Sequence, residues 1–205
     1  MTLIPEQLVG QHVRLWPSVP GWCPRNTLYR LWTAIEQAKA GPQLFWGRQD
    51  ASIHTDLTAF VKFMNDPGRQ LVLVTDRLGR ELAGCVWFDD VIPGYRCFES
   101  IFITPAYWGE SSLETLQLVF RYAFDELGVQ QVWAATPWQS AKRLGLRAGF
   151  TVEAVLRGFA LVSGRPRDVT FLKMERAAWA ARYGGSLEAF LPAARPFPSR
   201  VDGPA

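Results

Sequence analysis

The chain has 205 residues, with 22 Lys and Arg against 19 Asp and Glu for a net charge of +3, and 48% hydrophobic and 20% charged residues. Those proportions describe one well-buried globular unit, and the scattered basic residues argue against a nucleic-acid partner, because duplex binding needs positive charge gathered on one face. Cys23, Cys85 and Cys97 stand far apart without CxxC spacing and only His12 and His54 are present, so neither a metal site nor a disulfide framework is indicated.

In chain order, residues 12–16 alternate polar and apolar side chains and predict a first strand, ended by Pro17 and Pro20. Residues 25–40 place Leu28, Leu31, Trp32 and Ile35 at three- and four-residue steps, the stripe of an amphipathic helix. A second helix runs to Asn65, with Thr55 or Asp56 as its cap and Leu57, Phe60, Val61 and Met64 on one face; Asp66-Pro67-Gly68 stops it. Residues 71–75 and 81–88 read as an antiparallel hairpin about Arg77-Leu78-Gly79-Arg80, and residues 97–104 as the next strand after a Pro93-Gly94 turn. Residues 111–127 form the most regular helix, with Leu113, Leu116, Val119, Phe120, Ala123 and Phe124 in one stripe and Gly128 at its end. A strand at 131–135, a helix at 140–147 and a strand at 152–162 follow; Gly164-Arg165-Pro166 then reverses the chain into a last strand at 168–174.

This order is that of an α/β (α+β) domain, a mixed sheet with helices on its faces. Residues 1–182 are expected to form it, while Gly184-Gly185 and Pro192, Pro196, Pro198 and Pro204 mark residues 183–205 as a Pro/Gly-rich extended tail. The nine Trp and thirteen Phe read mostly as a bulky core, with anchoring of an interface as their second use. No run approaches the roughly 20 apolar residues of a membrane span, and residues 1–11 lack the basic start and apolar core of a signal peptide. A soluble, cytoplasmic protein with no membrane partner is the expectation.

Several short motifs fall in a fixed order. Ile103-Thr104-Pro105 precedes Ala106-Tyr107-Trp108-Gly109-Glu110-Ser111; Tyr122-Ala123-Phe124 is followed by Glu126-Leu127-Gly128; Leu144 precedes Gly149-Phe150; Gly164 leads to Arg167-Asp168-Val169, with Trp179 beyond. Together, over roughly residues 71–179, they resemble the GNAT N-acetyltransferases, in the branch that acetylates ribosomal proteins and related amino groups. The resemblance implies a mixed, mostly antiparallel central sheet with helices on both faces, and transfer of an acetyl group from acetyl-CoA to a primary amine of a small molecule or protein. In that family a central strand splays from its neighbour and the next helix points its N-terminus at the pyrophosphate, where free backbone N–H groups and the helix dipole favour an anion.

Carried over residue by residue, the backbone of Ile101, Phe102 and Ile103 would hold the pantetheine arm, and Gly109, Glu110, Ser111 and Ser112 the pyrophosphate. Gln139 would stand in part for the family's asparagine on the loop after the next strand, and Ser140 reads equally as an N-cap. Glu99 is the candidate catalytic base: the alternation Cys97, Glu99, Ile101, Ile103 sets it on an apolar face, where desolvation would raise its pKa into a useful range. Pairing with Arg96 or Arg121 is the competing reading. Asp168 is expected to brace the last hairpin, Tyr107 and Trp108 to flank the loop, and Lys142, Arg143 and Arg147 offer a basic helix face to phosphates or to solvent.

The sequence departs from the family pattern in the loop and at the tyrosine position. The loop has Ala106 where Gln or Arg is usual, Glu110 between the glycines, and Ser111 for the second glycine. Ser111 and Glu114 have the spacing of a capping box, which would satisfy the N–H groups a pyrophosphate uses, and Glu110 and Glu114 add negative charge there. The family's proton-donating tyrosine falls near Gly145. These departures support an alternative: a GNAT-fold binding or structural subunit without catalysis, in a larger assembly such as a phage particle, docking through its aromatic surface or its tail.

Overall fold

The computed structural model describes residues 8–47, 51–162 and 164–183. Strand β1 (Val13–Pro17) is followed by helices α1 (Arg25–Gln37), α2 (Gly41–Leu44) and α3 (Leu57–Met64), then by strands β2 (Gln70–Asp76), β3 (Leu82–Ile92) and β4 (Arg96–Ile103). Helix α4 (Glu110–Arg121), strand β5 (Gln131–Thr136), helix α5 (Gln139–Ala148), strands β6 (Thr151–Val162) and β7 (Arg165–Glu175) and helix α6 (Arg176–Tyr183) complete it. The strands form one sheet in the order β1-β2-β3-β4-β5-β7-β6, antiparallel throughout except between β4 and β5. This is the expected mixed, mostly antiparallel sheet, and its helices lie on both faces.

Period-two alternation divides the strands between two cores. Val72 and Val74, Val86 and Phe88, Cys97 and Ile103, and Val132, Leu172 and Met174 face α4, α5 and α6. Leu71, Cys85, Trp87 and Phe102 face α1 and α3, whose Leu28, Leu31, Ile35, Phe60 and Met64 fill the second core. Part of the aromatic content serves these cores: Trp87 stacks on Phe45 at 5.8 Å, and Trp179 meets Phe124 at 5.5 Å, whereas Trp22, Trp108 and Phe159 are exposed. Asp56 caps α3 through the N–H groups of Thr58 and Ala59, and Asp168 accepts the N–H of Gly158 at 2.9 Å across the β6–β7 hairpin, in the bracing role assigned to it.

Several boundaries differ from those read in the sequence, for local reasons. Pro17 continues β1 rather than ending it, because β1 is an edge strand and needs no second row of N–H donors. Pro166 lies inside β7, at a level where β7 pairs with β6 but β5 has ended, so its missing N–H is again on an open side. Helix α2 starts on Gly41-Pro42 and is too short for any periodicity to announce it. After Arg121 the long helix passes into a π turn, Tyr122–Glu126, closed by the Leu127 N–H on the Tyr122 carbonyl. Helix α6 carries the domain through buried Tyr183; residues 184–205, nearly all of the expected tail, lie outside the described part of the chain.

Two close approaches fix the frame. A Cβ on Gly84 would sit 2.0 Å from the carbonyl oxygen of Phe102 on the neighbouring strand, so only glycine lets β3 lie against β4 there. Helix α4 is tied to the start of the sheet by Glu114, which is 1% exposed and accepts the backbone N–H groups of Gln11, His12 and Val13 at 2.5, 2.8 and 3.1 Å.

Gly84→Ala is expected to cost about 3 kcal/mol, the upper end of overpacking penalties, because the obstacle is backbone. Glu114→Ala should cost a similar amount by leaving buried N–H donors unpaired, with Glu114→Gln retaining roughly half of the loss. Midpoints of urea unfolding for the three variants against the parent measure both effects.

Candidate active site

The parallel pairing of β4 with β5 runs only from Arg96–Gln131 through Cys97–Val132 to Phe98–Trp133. Beyond it, β4 stays with β3 as far as Ile103 and β5 stays with β7 as far as Thr136, so the two strands part. Ser100, Ile101 and residues 134–136 are half-buried although they stand in the middle of a seven-stranded sheet. The gap brings together the flanks of the candidate site: Glu99 and Ile101 on one side, Ala134, Ala135 and Thr136 on the other.

The loop from β4 leads directly to the start of α4. Trp108, 69% exposed, is pinned by its indole N–H to the Ile103 carbonyl at 2.9 Å, and the Ser112 hydroxyl, buried, donates to the Tyr107 carbonyl at 3.1 Å. Tyr107 itself turns to Glu81, its hydroxyl donating at 3.0 Å. Helix α4 is capped by Gly109 with φ +92°, a conformation that glycine adopts without strain, and no heavy atom lies within 4 Å of where its Cβ would be. No side chain caps this helix.

That last fact corrects the expected capping box. Ser111 and Glu114 have the right spacing, but the helix begins one residue earlier, at Glu110, so Ser111 is inside the first turn instead of at the cap. Glu114 has turned to the backbone of residues 11–13, and the Ser111 carbonyl accepts the hydroxyl of Thr115 at 2.7 Å. The first-turn N–H groups of Glu110, Ser111 and Ser112 therefore keep their outward direction and the partial positive charge of the helix end. Glu110 is exposed beside His12, with 3.8 Å between its carboxylate and the imidazole Nε2.

Glu99 occupies the first position of β4 past the last pair with β5, opposite Phe88 on β3 and on the face covered by α4. It is 7% exposed, its Oε2 has no hydrogen-bond partner, and burial pushes its carboxyl up to about 8. Neither Arg96 nor Arg121 pairs with it: Arg121 lies 4.0 Å from Asp125, and Arg96 stacks over the rings of Tyr95 and Phe98. Phe102 and Ile103, by contrast, bury their side chains in the two cores, so only their backbone is available to a ligand, and the Ile103 carbonyl already holds Trp108.

Across the gap, α5 starts at Gln139, whose side chain is exposed; Trp138 is the cap residue, and Ser140 lies within the helix instead of capping it. At the tyrosine position, a Cβ on Gly145 would meet Leu172 at 2.8 Å and Phe150 at 3.5 Å, so a larger side chain there would require the Leu172 methyl to shift. Lys142 is half-buried, and Arg143 and Arg147 are exposed on the same helix.

The structure also brings up residues that the sequence reading passed over. Phe98 and Trp133 meet at the closed end of the gap with ring centroids 6.1 Å apart, on the face away from Glu99. Alternation gave the side of Phe98 but could not supply its partner on a strand 35 positions later. Among the described residues no group of His, Cys, Asp and Glu is arranged to hold a metal ion, and no helix is long and apolar enough to cross a membrane.

No family model matches the sequence, and no curated protein matches it. Solved structures do. A spermidine N-acetyltransferase from Vibrio cholerae, in complex with CoA and spermine, is 17% identical with a TM-score of 0.65, over 80% of this chain and 97% of that one. A GCN5-related N-acetyltransferase from Brucella melitensis is 21% identical with a TM-score of 0.66, over 86% and 82% of the two chains. The ribosomal-protein-S5-alanine acetyltransferase from Vibrio fischeri is 12% identical with a TM-score of 0.62, over 83% and 96%. With its sheet opened between β4 and β5 beside a glycine-capped helix, this chain has the fold of the GNAT N-acetyltransferases.

Proposed function

We propose that the protein transfers an acetyl group from acetyl-CoA to a primary amine by direct attack on the thioester. The observation that carries this reading is the meeting of two features at one place: the sheet parts between β4 and β5, and the helix that follows β4 leaves its first N–H groups uncapped. The residues present fit such a donor. The open space at Gly109 and the free N–H groups of Glu110, Ser111 and Ser112 suit a pyrophosphate, and the unpaired edge of Ile101 and Phe102 suits an extended amide-bearing arm.

Acetyl-CoA, when bound, would supply an acetyl group activated as a thioester. The chain's own part is to hold, orient and deprotonate. The start of α4 holds the anion by dipole and N–H donors, while Glu110 keeps to His12 and Glu114 to the backbone of residues 11–13. Glu99, desolvated and without a partner, takes a proton from the attacking ammonium, its raised pKa narrowing the gap to an amine's own. A protein thiol does not serve as an acyl carrier: Cys23, Cys85 and Cys97 are all buried, and burial pushes Cys23 up to about 11, Cys97 up to about 12 and Cys85 upward as well.

Calorimetric titration tests the donor site. Acetyl-CoA should bind, Glu110→Ala should bind it at least as well, and Gly109→Trp should abolish binding while leaving the far-ultraviolet circular dichroism unchanged. Absence of heat at millimolar acetyl-CoA would sink the reading.

The titration of Glu99 gives a second check. Its carboxyl rises from 4.5 to about 8 on folding, so between those values the folded chain holds a proton that the unfolded chain has released. The stability contributed by the neutral carboxyl is full below pH 4.5 and is lost as pH rises through about 8, at up to about 1.4 kcal/mol per pH unit. Unfolding midpoints of the parent should therefore fall from pH 5 to 8 relative to Glu99→Gln, and the rate of acetyl transfer should rise more steeply over the same range in the parent than in Glu99→Gln, where only the acceptor amine's own deprotonation remains.

A further inference from the structure

The face of the sheet opposite Glu99 is closed over β2, β3 and β4 by α1 and α3, but that core includes no residue of β5, β6 or β7. On this uncovered half, strand alternation and register bring Trp133 and Ala135 of β5, Phe171 and Lys173 of β7, and Ala154 and Leu156 of β6 to one surface. Phe159, in the bulge of β6, folds over it, with its ring 6.2 Å from that of Phe171. The surface is apolar and open: Phe171 is half-buried, Leu156 is 40% exposed and Phe159 is 59% exposed. It borders the gap at Ala135 and is rimmed by Trp138, whose indole N–H reaches the Gln43 carbonyl of α2 at 3.4 Å.

The acidic charge of β6 and β7 on the same face is already committed. Lys173 sits over the Trp133 ring at 5.6 Å and pairs with both Glu153 and Glu175 at 3.0 Å, while Arg96 lies over Phe98 at 5.4 Å. The carboxylates that β6 and β7 present here are thus occupied, and the aromatic faces at the closed end carry the chain's own cations. A ligand with several ammonium groups would find none of these carboxylates free for the second and third. One with a single amine on an aryl-bearing body would find an apolar floor leading to the gap.

We propose that the acceptor is a small aralkyl monoamine, its aromatic group held by Phe159, Phe171 and Leu156 and its amine directed into the gap at Ala135. This rests on the acetyl-transfer reading for the reaction, but the surface makes its own prediction about binding. The test compares 2-phenylethylamine with spermidine, by calorimetric titration and by kcat/KM with acetyl-CoA, in the full chain and in Phe159→Ala and Leu156→Glu. Phe159 and Leu156 are exposed on an edge strand, so both variants are expected to fold.

The expected result is preference for 2-phenylethylamine by at least about tenfold, loss of about that factor in Phe159→Ala, and a shift toward spermidine in Leu156→Glu, which adds an uncommitted carboxylate. Preferential binding without acetyl transfer would refute the proposed reaction and leave this assignment standing. Spermidine bound or acetylated as well as 2-phenylethylamine, binding of neither amine, or indifference to Phe159→Ala would overturn it.

Discussion

Strands β4 and β5 are joined by three residue pairs, and nearly everything of functional interest follows from where that pairing stops. The chain enters β4 from the β3 hairpin and leaves β5 toward α5, with α4 between them, so among the described residues the parallel contact of the sheet is also a contact made across a long connection. Past Phe98 and Trp133 each strand satisfies its backbone on its outer side alone. A sheet that continued its pairing would be stronger and would have no place for a ligand. Here the split exposes the centre of the molecule while both halves remain anchored, β4 by β3 with its close approach at Gly84 and β5 by β7.

Acidic residues at the head of α4 show how much geometry changes the meaning of composition. Counted in sequence, Glu110 and Glu114 put two negative charges where an anion would have to sit. In the fold, Glu114 lies on the inner side of the helix and spends its oxygens on backbone donors of residues 11–13, where charge-assisted hydrogen bonds offset its burial. Glu110 lies outward beside His12. Because Gly109 takes the cap position, the helix end remains bare, and the turn that read as self-sealed is available.

Much of the architecture was legible because burial on one side of a regular element leaves a period in the sequence. The stripes of α1, α3 and α4, the Asp56 cap, and the side of β4 that carries Glu99 all come from that rule. What was hidden depends on partners distant in the chain. The acceptors for Gln11 to Val13 come from a residue about a hundred positions later, and a buried acid in the second turn of a helix can have the same spacing from a serine as a capping box. Gly145 stands at the tyrosine position, and the structure adds that Leu172 and Phe150 pack closely on α5 there. The aromatic surface beside the gap was invisible for a related reason: its residues come from β5, β6 and β7, and their register was not written in any one segment.

The three cysteines bear on a different problem, the survival of an activated acyl group inside a protein. Thioesters exchange with thiolates far faster than with thiols, so a protein that keeps an acyl thioester close to its own sulfur atoms risks losing the group to itself. Cys97 lies on the very strand that lines the gap, two residues before Glu99. Its burial, and the neighbouring carboxyl, hold it protonated at physiological pH, and Cys23 and Cys85 are kept inert in the same way. Under the proposed acetyl transfer, the core would thus act as chemical insulation, leaving an amine from outside as the nucleophile with access.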